Sequence, residues 1–382
     1  MTTVDYLVVG SGLTGSTIGR MLADDGREVL ILERRPHHGG NVHDFQHPSG
    51  HRIHTYGPHY FRCHSPQVWE FVNRFSKFYL FQPTVKSRIN NHYESWPVTQ
   101  SVLDKYPRWR PPVLAAAPSN FEEACLQKMP RQVYERYVRG YTRRQWGMDP
   151  RRLEPGLAQR IRINANDQTT LLPRHRHQAL PMLGYAHLME NMVAGVPCLL
   201  GVDYLKHRSE YRARKAVIYT GPIDEWFGFS SGRLGYRGQR RVHQHLADQP
   251  WHQPCVQVNH PDAGSADPIR TIEWKHLLPE PQQKRAIGTF LTREFPFSPE
   301  DPEDFEYPIP AEPNRKLYQQ YRSAADGVPN LIVCGRLGTY RYLDMDVAIA
   351  LAMRVASDLC ERKSTDRRLW MPPPAPQAVR RL

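Results

Sequence analysis

The segment that most restricts how this chain can fold lies within its first 33 residues. Asp5 to Val9 (DYLVV) is an apolar run of strand length, and Gly10-Ser11-Gly12-Leu13-Thr14-Gly15 follows it directly. Helical periodicity with Ile18, Met21 and Leu22 on one face then runs to about Asp25, and a second apolar strand, Val29 to Leu32, ends at Glu33. Gly10 permits the tight turn, Gly12 lets a pyrophosphate approach the backbone, and Gly15 lets helix and strand pack closely. Thr14 stands in the same loop, and Glu33 is placed to accept hydrogen bonds from a ribose 2′-hydroxyl. A Gly-rich turn alone says little; the complete order of strand, turn, helix, strand and acid predicts a dinucleotide site. The further Gly39-Gly40-Asn41 is typical of flavoproteins and points to FAD rather than NAD. Glu33 would repel the 2′-phosphate of NADP, although the adjacent Arg34 and Arg35 leave that cofactor as an alternative.

Two later segments read as further strands of the same sheet. Ala216 to Thr220 runs into Gly221-Pro222, and Leu331 to Cys334 runs into Gly335-Arg336-Leu337-Gly338, with a helix from about Met345 to Leu359. The predicted fold class is therefore α/β. It comprises a discontinuous Rossmann-type FAD-binding domain (1–62, 188–232, 328–362), an inserted helical domain (98–160) and an antiparallel β-sheet domain (63–97, 161–187, 233–327) for substrate. A basic, Pro-rich tail (363–382) follows. In the helical insert the spacing predicts a helix from Phe121 to Arg139, capped by Asn120 and broken near Pro130. Tyr137 and Tyr141, four residues apart, share a face that fits core packing as well as stacking on a nucleobase.

Charge narrows the partners. Lys and Arg number 51 against 38 Asp and Glu, a formal charge of +13. That surplus suits phosphate-bearing ligands, but the basic residues are scattered and accompany no nucleic-acid-binding motif, so no nucleic-acid partner is expected. The six cysteines lie far apart without metal-ligand spacing, predicting reduced thiols, no metal site and a cytoplasmic protein. No apolar stretch approaches the roughly 20 residues that span a bilayer. The chain enters its first strand directly, so a signal peptide is not expected.

Several longer motifs carry a resemblance. Tyr56-Gly57-Pro58-His59, Gly140-Tyr141-Thr142-Arg143-Arg144-Gln145-Trp146-Gly147 and, above all, the run from Gly335 through Asp344-Met345-Asp346 resemble the bacterial UDP-galactopyranose mutase family, in the family's order. The resemblance implies a homodimeric, redox-neutral flavoenzyme that interconverts pyranose and furanose forms of a nucleotide-linked sugar. In such an enzyme reduced FAD, with NAD(P)H as an external reductant, attacks the anomeric carbon through N5 and expels the nucleotide diphosphate. It implies that Arg160 and Arg270 bind the diphosphate with Tyr307 and Tyr342, and that Asp344 lies near the sugar. It also puts His59, Arg336 and Met345 with Gly10, Gly12, Thr14, Gly15, Glu33, Arg34, Gly40 and Asn41 at the cofactor, and Tyr137, Tyr141 and Trp146 at the nucleotide and sugar.

The chain departs from the family pattern near the substrate. A histidine expected after Tyr60-Phe61 is Arg62, an asparagine expected near the sugar is Pro83, and a flap tyrosine falls on Leu171. His175, Arg176 and His177 make the flap basic and read as a solvated loop. These departures open two further readings: a GDP-linked hexose or 6-deoxyhexose as substrate with altered or lost flavin dependence, and an amine-oxidase-like FAD oxidoreductase.

Overall fold

The computed structural model describes residues 1–361 apart from 113–115, 165, 166, 168, 170, 172–175 and 265. The expected tail at 363–382 and the flap residue His175 therefore lie outside the described residues.

The first apolar run becomes the strand Thr2–Val9 at the centre of a five-stranded, all-parallel sheet. Its neighbours are Val29–Glu33 and Tyr211–Tyr219, with Cys198–Leu200 and Leu331–Val333 at the edges. Parallel strands covered on both faces need apolar side chains in both directions, and every residue of Val29–Glu33 is buried. Helices Leu13–Asp24, Gly184–Val193 and Met345–Cys360 cover one face, where Ile18, Leu22, Ile31 and Val355 share a core. Ile223–Trp226 and Glu312–Asp326 cover the other, around Tyr219, Tyr236, Phe305 and Tyr321. The nucleotide-binding layer thus recruits a helix that the sequence division assigned to the antiparallel domain. Its apolar stripe fits the Leu331–Val333 side of the parallel sheet.

The second layer is a seven-stranded sheet ordered Tyr307–Pro308, Tyr236–Leu246, Thr289–Phe297, Arg270–Glu273, Gln257–Asn259, Val85–Ile89 and His92–Trp96. It is antiparallel except where Gln257–Asn259 runs parallel to Val85–Ile89. Phe61–Cys63, His177–Pro181 and Phe78–Leu80 form a separate three-stranded antiparallel sheet. His177 accordingly belongs to a strand, and its ring stacks on Trp69 at 4.3 Å, in place of the solvated loop expected for it.

The helical insert breaks where its proline predicts. Asn120 caps Phe121–Leu126 by accepting the Glu123 amide at 3.0 Å. After Pro130 a new helix, Arg131–Tyr134, continues through a wider π turn at Glu135–Arg139 into Gly140–Trp146. Tyr137 falls within this π turn and Tyr141 in the helix that follows it.

Candidate active site

Successive strands of the parallel sheet end at one rim, and the expected nucleotide residues gather there. Gly10 has φ +103°, and a Cβ on it would stand 2.2 Å from Thr220 Oγ1. Gly40 (φ +53°) would place a Cβ 3.1 Å from Gly12 Cα, and the Gly39 amide donates to the Ser11 carbonyl at 2.9 Å. Three loops therefore approach one another closely enough that side chains are excluded, leaving backbone amides and the N-terminus of helix Leu13–Asp24 facing a cavity. That is what a dinucleotide pyrophosphate requires. Gly12, Thr14, Glu33, Gly40, Asn41, Gly335, Arg336 and Met345 all line this cavity.

The structure places three expected cofactor residues in particular ways. Gly15 does not face the cavity: a Cβ there would lie 1.9 Å from the Gly10 carbonyl oxygen, so its role is close packing of helix on turn. Arg34 is held by a two-pronged ion pair to Glu225, at 2.8 and 2.7 Å. Glu33 is buried and shapes the loop as well as facing the cavity. It accepts the Ser11 amide and hydroxyl at 2.7 and 3.1 Å and the Arg35 amide at 2.9 Å.

The cavity continues from the glycine rim to a cluster of arginines and tyrosines. Arg160 donates to the Tyr342 hydroxyl at 3.0 Å, with its guanidinium 3.7 Å from the ring centre, and approaches Asp344 at 3.6 Å. Tyr342 lies parallel to Tyr307, and Arg336 lies 5.9 Å from the Tyr307 ring centre. Burial pushes the Tyr307 hydroxyl up to about 12, so it stays a protonated donor at neutral pH. His59 also lines the cavity. Its Nδ1 meets the Gly57 carbonyl at 2.8 Å, and burial pushes the imidazole down to about 4, so it is neutral.

Arg270 reaches the same cavity from the seven-stranded sheet, and the register explains its hold. Glu294 is cross-strand neighbour to both Arg270 and Arg241. It is fully buried and accepts from both, and Arg241 in turn forks onto Glu306 at 2.7 and 2.8 Å. Burial would raise the Glu294 carboxyl, but the two guanidiniums overturn that and hold it below the usual carboxylate range. Gly57, at φ +88°, lets the loop pass: a Cβ would stand 2.6 Å from Glu294 Oε1. None of Glu294, Arg241 or Glu306 was singled out from the sequence. Period-two alternation would have marked Glu294 and Arg241 as inward-facing, but only the register shows that they pair.

Tyr141 and Trp146 stand behind the cluster. Arg270 lies beside Tyr141, its charge opposing the burial that pushes the Tyr141 hydroxyl up, and Trp146 meets Tyr307 edge-on, with ring centres 6.4 Å apart. Tyr137 does not reach the cavity: it is buried in the helical insert, with its hydroxyl on Glu94. The three departures from the family pattern converge. Arg62 and Leu171 line the cavity, the Leu171 amide donates to the Pro83 carbonyl at 3.4 Å, and Arg62 pairs with Asp344 at 2.8 Å.

Fold and cavity together define a Rossmann-type dinucleotide-binding protein whose cavity runs on into a chamber lined by arginines and tyrosines. The UDP-galactopyranose mutase family model matches residues 136–342, and a Rossmann-like NAD(P)-binding model matches residues 8–75. A probable UDP-galactopyranose mutase of Klebsiella pneumoniae is 30% identical, covering 94% of this chain and 95% of the relative. A dTDP-fucopyranose mutase of Escherichia coli is 29% identical, covering 92% and 97%. Reduced UDP-galactopyranose mutase superposes with TM-score 0.73 at 13% identity, over 97% of this chain and 96% of that one. Putrescine oxidase shares the fold at TM-score 0.59 and 11% identity, over 94% and 99%. The chain belongs to the UDP-galactopyranose mutase family. It is an isomerase of the nucleotide-sugar mutase class, and its family and Rossmann-type domain imply FAD as cofactor. Among the described residues no helix is long and apolar enough to cross a membrane, and no group of side chains could hold a metal ion.

Proposed function

We propose that the protein interconverts the pyranose and furanose forms of a hexose carried on a pyrimidine nucleotide, UDP-galactopyranose or a related sugar such as a dTDP-linked 6-deoxyhexose. The observation that carries this reading is the continuity of one cavity from the glycine rim to Arg160, Arg270, Tyr307 and Tyr342. The rim fits a flavin dinucleotide because Gly10, Gly40 and Gly335 hold positive φ angles that side chains rarely adopt, and a Cβ at Gly10 or Gly40 would also crowd the neighbouring loop. The chemistry supplied by bound reduced FAD is a nucleophilic nitrogen for the anomeric carbon.

The chain's own residues have the complementary task of receiving a departing diphosphate. Arg160 and Arg270 offer guanidinium forks, which match phosphate oxygens better than ammonium groups do. Tyr342 accepts its hydrogen bond from Arg160 and so keeps its own proton for a phosphate oxygen. Tyr307, held protonated, donates beside it. Trp146 and Tyr141 fix Tyr307 and Arg270 from behind and close the chamber to water on that side. Neutral His59 presents no charge to the flavin end, where Arg336 is the nearby cation.

The two relatives named above act on UDP- and dTDP-linked sugars, which supports a pyrimidine base over the GDP-linked alternative. Family membership supports an isomerase over an amine-oxidase-like oxidoreductase, whose fold alone is shared. NAD(P)H as external reductant and a homodimeric assembly are further expectations from the family. The six free thiols support a cytoplasmic setting. Anaerobic incubation of the reduced, flavin-loaded protein with UDP-galactopyranose, dTDP-fucopyranose and GDP-hexoses tests the substrate. A furanose nucleotide from a pyrimidine-linked sugar is expected, and turnover of GDP-sugars alone would refute the reading.

A further inference from the structure

Arg62 has a place of its own within the site just proposed, and its role rests on that reading. Arg62 is the middle residue of the strand Phe61–Cys63. Phe61 and Cys63 are buried in the core, so alternation sends Arg62 the other way, into the cavity. There its Nη2 lies 2.8 Å from Asp344 Oδ2.

Asp344 precedes the helix Met345–Cys360. Its carbonyl accepts the Ala348 amide at 2.9 Å, but its carboxylate makes no capping bond to the helix. The carboxylate faces the cavity between two guanidiniums, Arg62 at 2.8 Å and Arg160 at 3.6 Å. Arg160 is thereby shared: one nitrogen meets Asp344, the other meets the Tyr342 hydroxyl, and the plane rests on the Tyr342 ring. A diphosphate arriving at Arg160 competes with Asp344 for the same cation and meets a like charge beside it. Both effects oppose binding unless that carboxylate is neutralised by another group.

We infer that Arg62 is a positioning residue that takes over Asp344, freeing Arg160 for the nucleotide diphosphate. Arg62 is the nearer partner, lies on a different element and is less exposed than Arg160, with 18% against 41% of its side chain accessible. Its pair with Asp344 is accordingly the less screened of the two. Arg62 and Asp344 form a neutral pair, and the charge of Arg160 is left to the ligand. Without Arg62, Asp344 would have Arg160 as its nearer cation and would hold it against the diphosphate.

The test is a double-mutant cycle read by titration calorimetry with UDP and dTDP on the flavin-loaded protein. R62M should weaken nucleoside diphosphate binding by about tenfold or more, because Asp344 then draws on Arg160 and stands as a like charge beside the ligand. D344N alone should leave binding unchanged or tighter. R62M/D344N should return to within about threefold of wild type, and R62K should retain most of the affinity, since charge rather than the fork neutralises Asp344. A retained flavin spectrum and melting temperature in each variant separate these effects from unfolding. If R62M weakens binding equally with Asp or Asn at 344, Arg62 acts on the ligand directly and the inference is overturned. Unchanged binding in R62M overturns it as well. A wild-type protein that binds neither UDP nor dTDP overturns the nucleotide-sugar reading itself, and this inference with it.

Discussion

The rings of Tyr307 and Tyr342 lie nearly parallel, with centres 5.8 Å apart and planes at 9°. They come from opposite directions: Tyr307 is on the edge strand of the seven-stranded sheet, and Tyr342 follows the last strand of the parallel sheet. Their contact is therefore the seam between the two layers, and Arg160 closes it by lying over Tyr342. An anion bound at this seam touches both layers at once, so the chamber's geometry depends on how the sheets meet.

Arg160 should matter through the shape of its guanidinium as well as its charge. R160A is expected to weaken UDP or dTDP binding by about ten- to hundredfold, and R160K to recover little of it, because an ammonium group can neither fork onto phosphate nor rest flat on Tyr342. Calorimetry on the flavin-loaded variants checks this, and full recovery by lysine would contradict it.

The buried row Arg270, Glu294, Arg241 and Glu306 should be costly to break. E294Q leaves two guanidiniums without their shared anion, and a loss of roughly 3–5 kcal/mol is expected. Urea unfolding followed by tryptophan fluorescence measures it. A loss below about 1 kcal/mol would show that the row relaxes onto water.

Gly10→Ala should empty the flavin site before it unfolds the protein. At φ +103° the new residue is strained by about 1–3 kcal/mol, and its Cβ meets the Thr220 hydroxyl, which donates to the Val9 carbonyl at 2.8 Å. The expected result is a soluble protein with a reduced ratio of absorbance near about 450 nm to protein. Wild-type flavin content would contradict the cradle.

Acid should destabilise the fold through its buried imidazoles, which outnumber the one buried carboxyl, Asp224, that burial raises to about 6 and that opposes them. Burial pushes His43, His51, His59 and His260 down to about 4, and holds His54 well below its ordinary value. In the unfolded chain these imidazoles take up protons near about 6.5. Between those values the unfolded state binds more protons than the native one, so stability rises with pH across this window and falls as pH drops through it. Melting temperatures measured from pH 7.5 to 4.5 should decline steadily below about pH 6.5, and a flat profile would contradict the burial of these rings as neutral groups.

Much of the nucleotide half could be read from the sequence because its determinants are local. Gly10, Gly12 and Gly40 act through their own backbone, and Glu33 follows within the same βαβ unit, so spacing alone carried them. Pro130 broke the insert helix for an equally local reason. The substrate half was legible through motif resemblance, since nothing in the composition separates Arg160 or Arg270 from the other basic residues. What escaped was pairing at long range. Arg62 and Asp344 stand far apart in sequence and meet because the strand Phe61–Cys63 and the start of the helix Met345–Cys360 present them to one cavity. Glu294 meets Arg241 and Arg270 only once the register of three strands is set. Tyr137 was placed at the nucleotide because its spacing from Tyr141 does not reveal that its hydroxyl meets Glu94, more than forty residues earlier, within the insert core.

In the proposed reaction the chain's arginines and tyrosines hold the departing diphosphate, and bound reduced FAD would serve as a catalyst with no net redox change. The most direct measurement follows the furanose nucleotide and the flavin redox state together, under anaerobic conditions, with UDP-galactopyranose or dTDP-fucopyranose and a single equivalent of reductant. Many turnovers per flavin, with the flavin still reduced at the end and no activity in the oxidised protein, is the predicted result. A colourless protein that cannot be loaded with FAD, or product that appears only in step with reductant consumed, would contradict it.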